Sequence, residues 1–177
     1  MTAESTRAGS AGGASVAEAH ALRIDVRDVG SGGDAVVWSW DGGGHVRVAS
    51  RGEDARTLEG SFDESGQFRL LERAGSLGEQ PATVVSEQVE TNVFGATVER
   101  VHHLFGIVVE RSSDAEGRLR STTVTTPLGT HTMEVRPDGS RLLRWSVTPG
   151  TGEFAWDASG RLSATLRLAA VETGHGT

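Results

Sequence analysis

The chain has 177 residues, 36% of them hydrophobic, enough for one domain with a usable core. It has no cysteine, which excludes disulfides, thiolate catalysis and cysteine-ligated metal centres. The net charge is −7 and all 17 basic residues are arginine, so a Schiff-base lysine is excluded and nucleic-acid binding is disfavoured.

No run of 18 apolar residues is present, so no membrane span is expected. Met1 to Ser15 lacks the apolar centre of a signal peptide, and a cytoplasmic location is the expectation. Residues 1–22 are expected to form a flexible arm. Within it, Ser15 to Leu22 has a capping-box start, with Ser15 and Glu18, for a short helix or lid. Residues 23–172 are expected to form one β domain, followed by a flexible tail over 173–177.

From Arg23 onward apolar residues recur with period two. Val36, Trp38 and Trp40 form one series, and Val101, His103, Phe105, Ile107 and Val109 a second. Leu143, Trp145 and Val147 form a third, and Leu162, Ala164, Leu166 and Leu168 a fourth. Alternation rich in valine, threonine and tryptophan is the pattern of half-buried strands.

Turn chemistry falls between the series. Asp41–Gly44, Asp63–Gly66, Asp114–Gly117 and Asp157–Gly160 share the form Asp-x-x-Gly, and Pro137-Asp138-Gly139 adds another turn. The carboxylate caps such a turn, and glycine takes its left-handed position. Asn92–Gly95 reads as a further turn or a bulge. Asp41 and Asp63 are 22 residues apart and Asp114 and Asp157 are 43 apart, as a repeating unit of two strands would give. The expectation is an antiparallel meander of nine to twelve strands, closed or nearly closed into a β-barrel.

The segment Phe154-Ala-Trp-Asp-Ala-Ser-Gly-Arg-Leu162 resembles the YD repeat of Rhs-type proteins, Tyr-Asp-x-x-Gly-Arg-Leu, with Trp156 at the tyrosine position. Four short patches carry this resemblance. It implies a hairpin array serving as a non-enzymatic interaction or scaffold module. The size, the all-β pattern and the N-terminal arm resemble small barrels similar to allene oxide cyclase. That second resemblance implies a small, largely apolar, polyketide-like substrate.

Glycines after Ile24-Asp-Val-Arg-Asp-Val29 suggest a nucleotide loop, but Asp34–Trp40 reads as a strand where that chemistry needs a helix, so a plain turn is expected. His102 and His103 are adjacent and face opposite sides of a strand, so no metal site is assigned. No Gly-x-Ser-x-Gly, Walker or His-Glu-x-x-His motif occurs.

Within a barrel, His103 and Glu87 would point into the lumen as the catalytic pair. Trp38, Trp40, Phe105, His131, Met133 and Trp145 would line it as ligand-binding residues. The leading expectation is a small-molecule-binding barrel. Acting as an enzyme, it would be a cofactor-independent cyclase or isomerase using shape and a few polar groups. A carrier without turnover and the hairpin interaction module stand beside it. A homodimer is a further expectation.

Overall fold

The computed structural model describes residues 23–29, 35–41, 43–51, 55–147 and 150–168. The expected arm and C-terminal tail lie outside the described residues. The described chain is all-β. It runs β1 (Arg23–Val29), β2 (Ala35–Asp41), β3 (Val46–Ser50), β4 (Arg56–Phe62), β5 (Phe68–Ala74), β6 (Gln80–Pro81) and β7 (Val84–Thr91). Next come β8 (Thr97–His103), a 3-10 turn at Leu104–Gly106, β9 (Val108–Ser113) and β10 (Leu119–Thr126). The last strands are β11 (Gly129–Val135), β12 (Arg141–Val147), β13 (Gly150–Trp156) and β14 (Leu162–Leu168). No helix among the described residues is long and apolar enough to cross a membrane.

Every strand but one pairs antiparallel with the next in sequence; the exception is β6, which does not pair with β7, giving a six-stranded sheet β1 to β6 and an eight-stranded sheet β7 to β14. The expected antiparallel all-β pattern is present as two open sheets, and neither closes into a barrel among the described residues. The reason is visible at residues 82–84. There the chain leaves the edge of one sheet and starts the edge of the next, instead of pairing β6 with β7.

The two sheets share one core. Trp38, Trp40, Val48, Leu58 and Phe68 of the first sheet bury against Val109, Val124, Leu143, Trp145 and Phe154 of the second. Each fully buried side chain of this size removes apolar area worth about 1.5–3 kcal/mol. Arg111 donates to the Phe68 carbonyl at 3.4 Å and Arg141 to the Glu64 carbonyl at 3.1 Å, each bridging the two sheets.

Six turns share one geometry. The first residue's N–H donates to the carbonyl four residues on, and the fourth residue's N–H returns to the first carbonyl. They begin at Asp41, Asp63, Asn92, Asp114, Arg136 and Asp157. The Oδ1 of Asp63 accepts from the amides of Ser65 and Gln67 at 2.9 and 3.1 Å, and Asn92 repeats this with Phe94 and Ala96 at 2.9 and 3.0 Å. The fourth position sits near φ +80° in all six, which only glycine adopts without strain. Asn92–Gly95 is therefore a turn of the same series.

The sequence series from Val101 to Val109 is two strands, β8 and β9, and not one. A tight turn at Leu104–Gly106 separates them, with Ile107 N–H donating to the Leu104 carbonyl at 3.3 Å. Val101 and Val109 face each other across the pair. A short hairpin preserves the parity of the alternation, so the period-two signal runs through the turn unbroken. Division of this kind, with the short β6, raises the count to fourteen strands among the described residues.

Candidate functional site

Two groups of residues carry polar chemistry on the inner faces. The first is the aromatic centre of the sandwich. His131 stands between Val124 of β10 and Trp145 of β12 in register. Trp40 of the opposite sheet meets Trp145 edge-on at 4.4 Å and His131 at 5.4 Å between ring centroids. Trp38 and Met133 complete the cluster, and all five are buried. The structure thus brings five of the six expected ligand-binding residues together, but with their side chains packed against one another. Gly152, opposite Trp145, has no room for a Cβ because the indole lies over it.

The cluster hides polar atoms. Both ring nitrogens of His131, and Nε1 of Trp40 and of Trp145, are buried without a hydrogen-bond partner among the described residues. Burial pushes the His131 imidazole down to about 4, with Asp41 opposing weakly, so the ring is neutral at neutral pH. It acts as an aromatic filler.

The sixth residue, Phe105, lies apart at the β8–β9 turn, half-buried against the rim of the core. Its φ of 58° is the one left-handed non-glycine value among the described residues. A phenylalanine there stores roughly 1–2 kcal/mol of backbone strain.

The second group lines a cleft of about 400 Å³ between β5 and β6 of the first sheet and β7 to β9 of the second. Its floor is Val101 and Val109, and its opposite wall is Phe68, Leu70, Pro81 and Ala82. Both expected catalytic residues line it. Glu87 stands opposite Val101, and His103 opposite Val84. They occupy neighbouring rows of the same face, and no hydrogen bond joins them among the described residues.

His103 is held from behind. Its Nδ1 lies 3.0 Å from the Thr83 carbonyl, which can only accept, so the neutral ring carries its proton on Nδ1 and leaves Nε2 as an acceptor. Thr83 is itself fixed by Glu72, whose Oε2 accepts from the Thr83 amide at 2.8 Å and hydroxyl at 2.6 Å. Arg56 donates to the other Glu72 oxygen at 2.9 Å. Burial works against the Glu72 charge, but these donors outweigh it and hold its carboxyl below the usual range. Burial pushes the His103 pKa down, the Thr83 carbonyl opposes this, and nearby Arg111 lowers it further.

Arg111 donates to Glu99 at 3.1 Å on the cleft floor, neutralising that acid. Glu87 has no ion partner among the described residues. The cleft therefore offers an apolar floor, one neutral imidazole acceptor and one unpaired carboxylate. No serine, threonine or cysteine lines it among the described residues. No cluster of ligands suited to a metal ion occurs among the described residues.

Beyond the cleft, sequence reading passes over one feature. Every residue of β7 is exposed, and Val93 and Phe94 at the tip of the β7–β8 turn are 93% and 84% exposed. The available signal was two large apolar residues inside a turn, where polar residues belong. No protein family, curated protein or solved structure matches this chain.

Proposed function

We propose that the chain is a non-enzymatic interaction module whose docking surface is the β7–β8 hairpin. The observation that carries this reading is the exposed apolar series Val84, Val85 and Val89 at 52%, 61% and 58%, continued by Val93 and Phe94. Exposed apolar residues gathered on one hairpin mark an interaction site, whereas scattered ones need no explanation. The filled aromatic centre supports the same reading, since a module of stacked hairpins needs a rigid interior and no chamber. A cofactor-independent cyclase or isomerase would instead use the cleft. Its one favourable observation is the neutral His103 imidazole facing an apolar floor. A barrel lumen for that chemistry would require strand pairing beyond that of the two open sheets.

A photoreactive residue placed at position 94 in the full chain is expected to give a discrete covalent adduct with one partner in cells. The same residue at Ser159, on a distant polar turn, is expected to give none. With that partner purified, Phe94→Asp is expected to weaken binding at least about tenfold while the thermal midpoint stays unchanged. Absence of a discrete adduct at positions 85, 89 and 94 would overturn the reading.

A further inference from the structure

We infer that the partner enters as an extended segment that pairs with the free edge of β7 and presents basic side chains to Glu87 and Glu90. This rests on the interaction-module reading and specifies how the docking occurs and with what chemistry.

The two edges that flank the cleft differ. β6 has two residues and ends in Pro81, the usual way a sheet edge is closed to pairing. β7 has eight residues, no proline and no lysine, and all eight are exposed. Among the described residues it pairs only with β8, so its outer side carries backbone donors and acceptors that no described strand matches.

The phase of those groups follows from two hydrogen bonds. Asn92 N–H donates to the Ala96 carbonyl at 2.9 Å, which points residue 92 toward β8. His103 N–H donates to the Ile107 carbonyl at 2.8 Å, which points residue 103 toward β9 and away from β7. Bonding alternates along an antiparallel pair. Thr91, Val89 and Glu87, opposite Thr97, Glu99 and Val101, therefore turn their amides and carbonyls outward. Three donors and three acceptors are presented at two-residue spacing.

The side chains of these three residues share the face that holds the cleft, because Glu87 stands opposite the buried Val101. A strand laid along β7 would place its own alternate side chains over Val101, Val109 and Phe68. Charge then selects the occupant. Glu87 and Glu90 have no ion partners among the described residues, whereas Glu99 and Glu110 are matched by Arg111 and Arg100. A second copy would bring its own β7, which holds two carboxylates and no basic residue to meet them. A basic segment meets the same acids favourably.

The test uses the full chain and a synthetic valine peptide of about nine residues with two lysines three positions apart, one for the face of Glu87 and one for that of Glu90, long enough to cover the eight residues of β7. The lysine peptide is expected to bind at least about tenfold more tightly than its glutamate counterpart, with the preference shrinking as salt rises. Bound peptide is expected to slow amide exchange at Glu87, Val89 and Thr91 while leaving Gln88 unchanged. Glu87→Lys with Glu90→Lys is expected to reverse the peptide preference. Val89→Pro removes one outward amide and spares the β8 ladder, so it is expected to abolish binding with the circular dichroism intact. Should Val89→Pro fail to fold, the charge-reversed pair alone decides. Equal binding of both peptides, no exchange protection on β7, or a dimer formed through β7 would each overturn the inference. A partner that still needs Phe94 yet tolerates Val89→Pro would overturn strand addition and leave the interaction module standing.

Discussion

Trp40→Ala is expected to lower unfolding stability by about 3–5 kcal/mol, read as a reduced urea midpoint. The indole is 1% exposed and is the piece of the six-stranded sheet that meets Trp145 and His131 of the other. Removing it loses the transfer energy of the ring and leaves a void between two sheets that cannot collapse onto each other. Gly152→Ala acts on the same contact from the other side. Its new methyl overlaps the Trp145 ring, and overpacking of this kind costs about 1–3 kcal/mol. Trp156→Ala serves as the comparison, because Trp156 is half-buried and rests under Arg141, whose guanidinium carbon lies 5.2 Å from the ring centre. That change is expected to cost distinctly less. A tryptophan lining an open chamber would behave like Trp156 and not like Trp40, so the pair of measurements separates a filled interior from a hollow one.

Stability is expected to fall by about 3 kcal/mol between pH 6.5 and pH 4 on account of His131. In the unfolded chain an imidazole takes up its proton near pH 6.5, whereas burial delays protonation in the fold until about pH 4. As the pH drops through this window the unfolded state binds more protons, and the equilibrium moves toward it. Below about pH 4 both states are protonated and the loss stops growing. His103, whose pKa burial also lowers, adds to the loss in the same direction. Glu72 contributes at lower pH still. Its depressed carboxyl gives stability that is present above the ordinary carboxylate pKa and is lost as acid protonates it. Urea titrations of the wild type and of His131→Phe at pH 7 and pH 4.5 check the assignment. The variant is expected to be markedly less sensitive to pH over that interval.

Turns were the most legible part of this sequence. Asp-x-x-Gly forces one backbone path, because the carboxylate collects two amides and the glycine supplies the positive φ. Each of the four predicted copies has that geometry. Asn92–Gly95 follows the same rule with an amide in place of the carboxylate. Strand number was less legible, because an even-parity hairpin at Phe105–Gly106 leaves the alternation of β8 and β9 in phase. Sheet closure was not legible at all. Local alternation fixes which side chains share a face, but whether the last strand meets the first depends on twist summed over every pair.

The site was legible in part. Glu87 and His103 were read as facing one interior, and both do line one cleft. Their surroundings were hidden, because Arg111, Glu72 and Thr83 arrive from strands far apart in sequence. Trp38, Trp40 and Trp145 are buried while Phe105 and Trp156 are half-buried, and period-two patterning says nothing about what fills the space in front of such residues. Trp40 and Trp145 fill it for each other.

Residue-resolved amide exchange on the free protein probes the open β7 edge over a packed interior most directly. Amides of Val109, Val124, His131 and Leu143 should exchange only with global unfolding, while those of Glu87, Val89 and Thr91 exchange as freely as an unpaired chain. Strong protection at all three β7 positions, or rapid exchange at the four interior ones, would contradict this account.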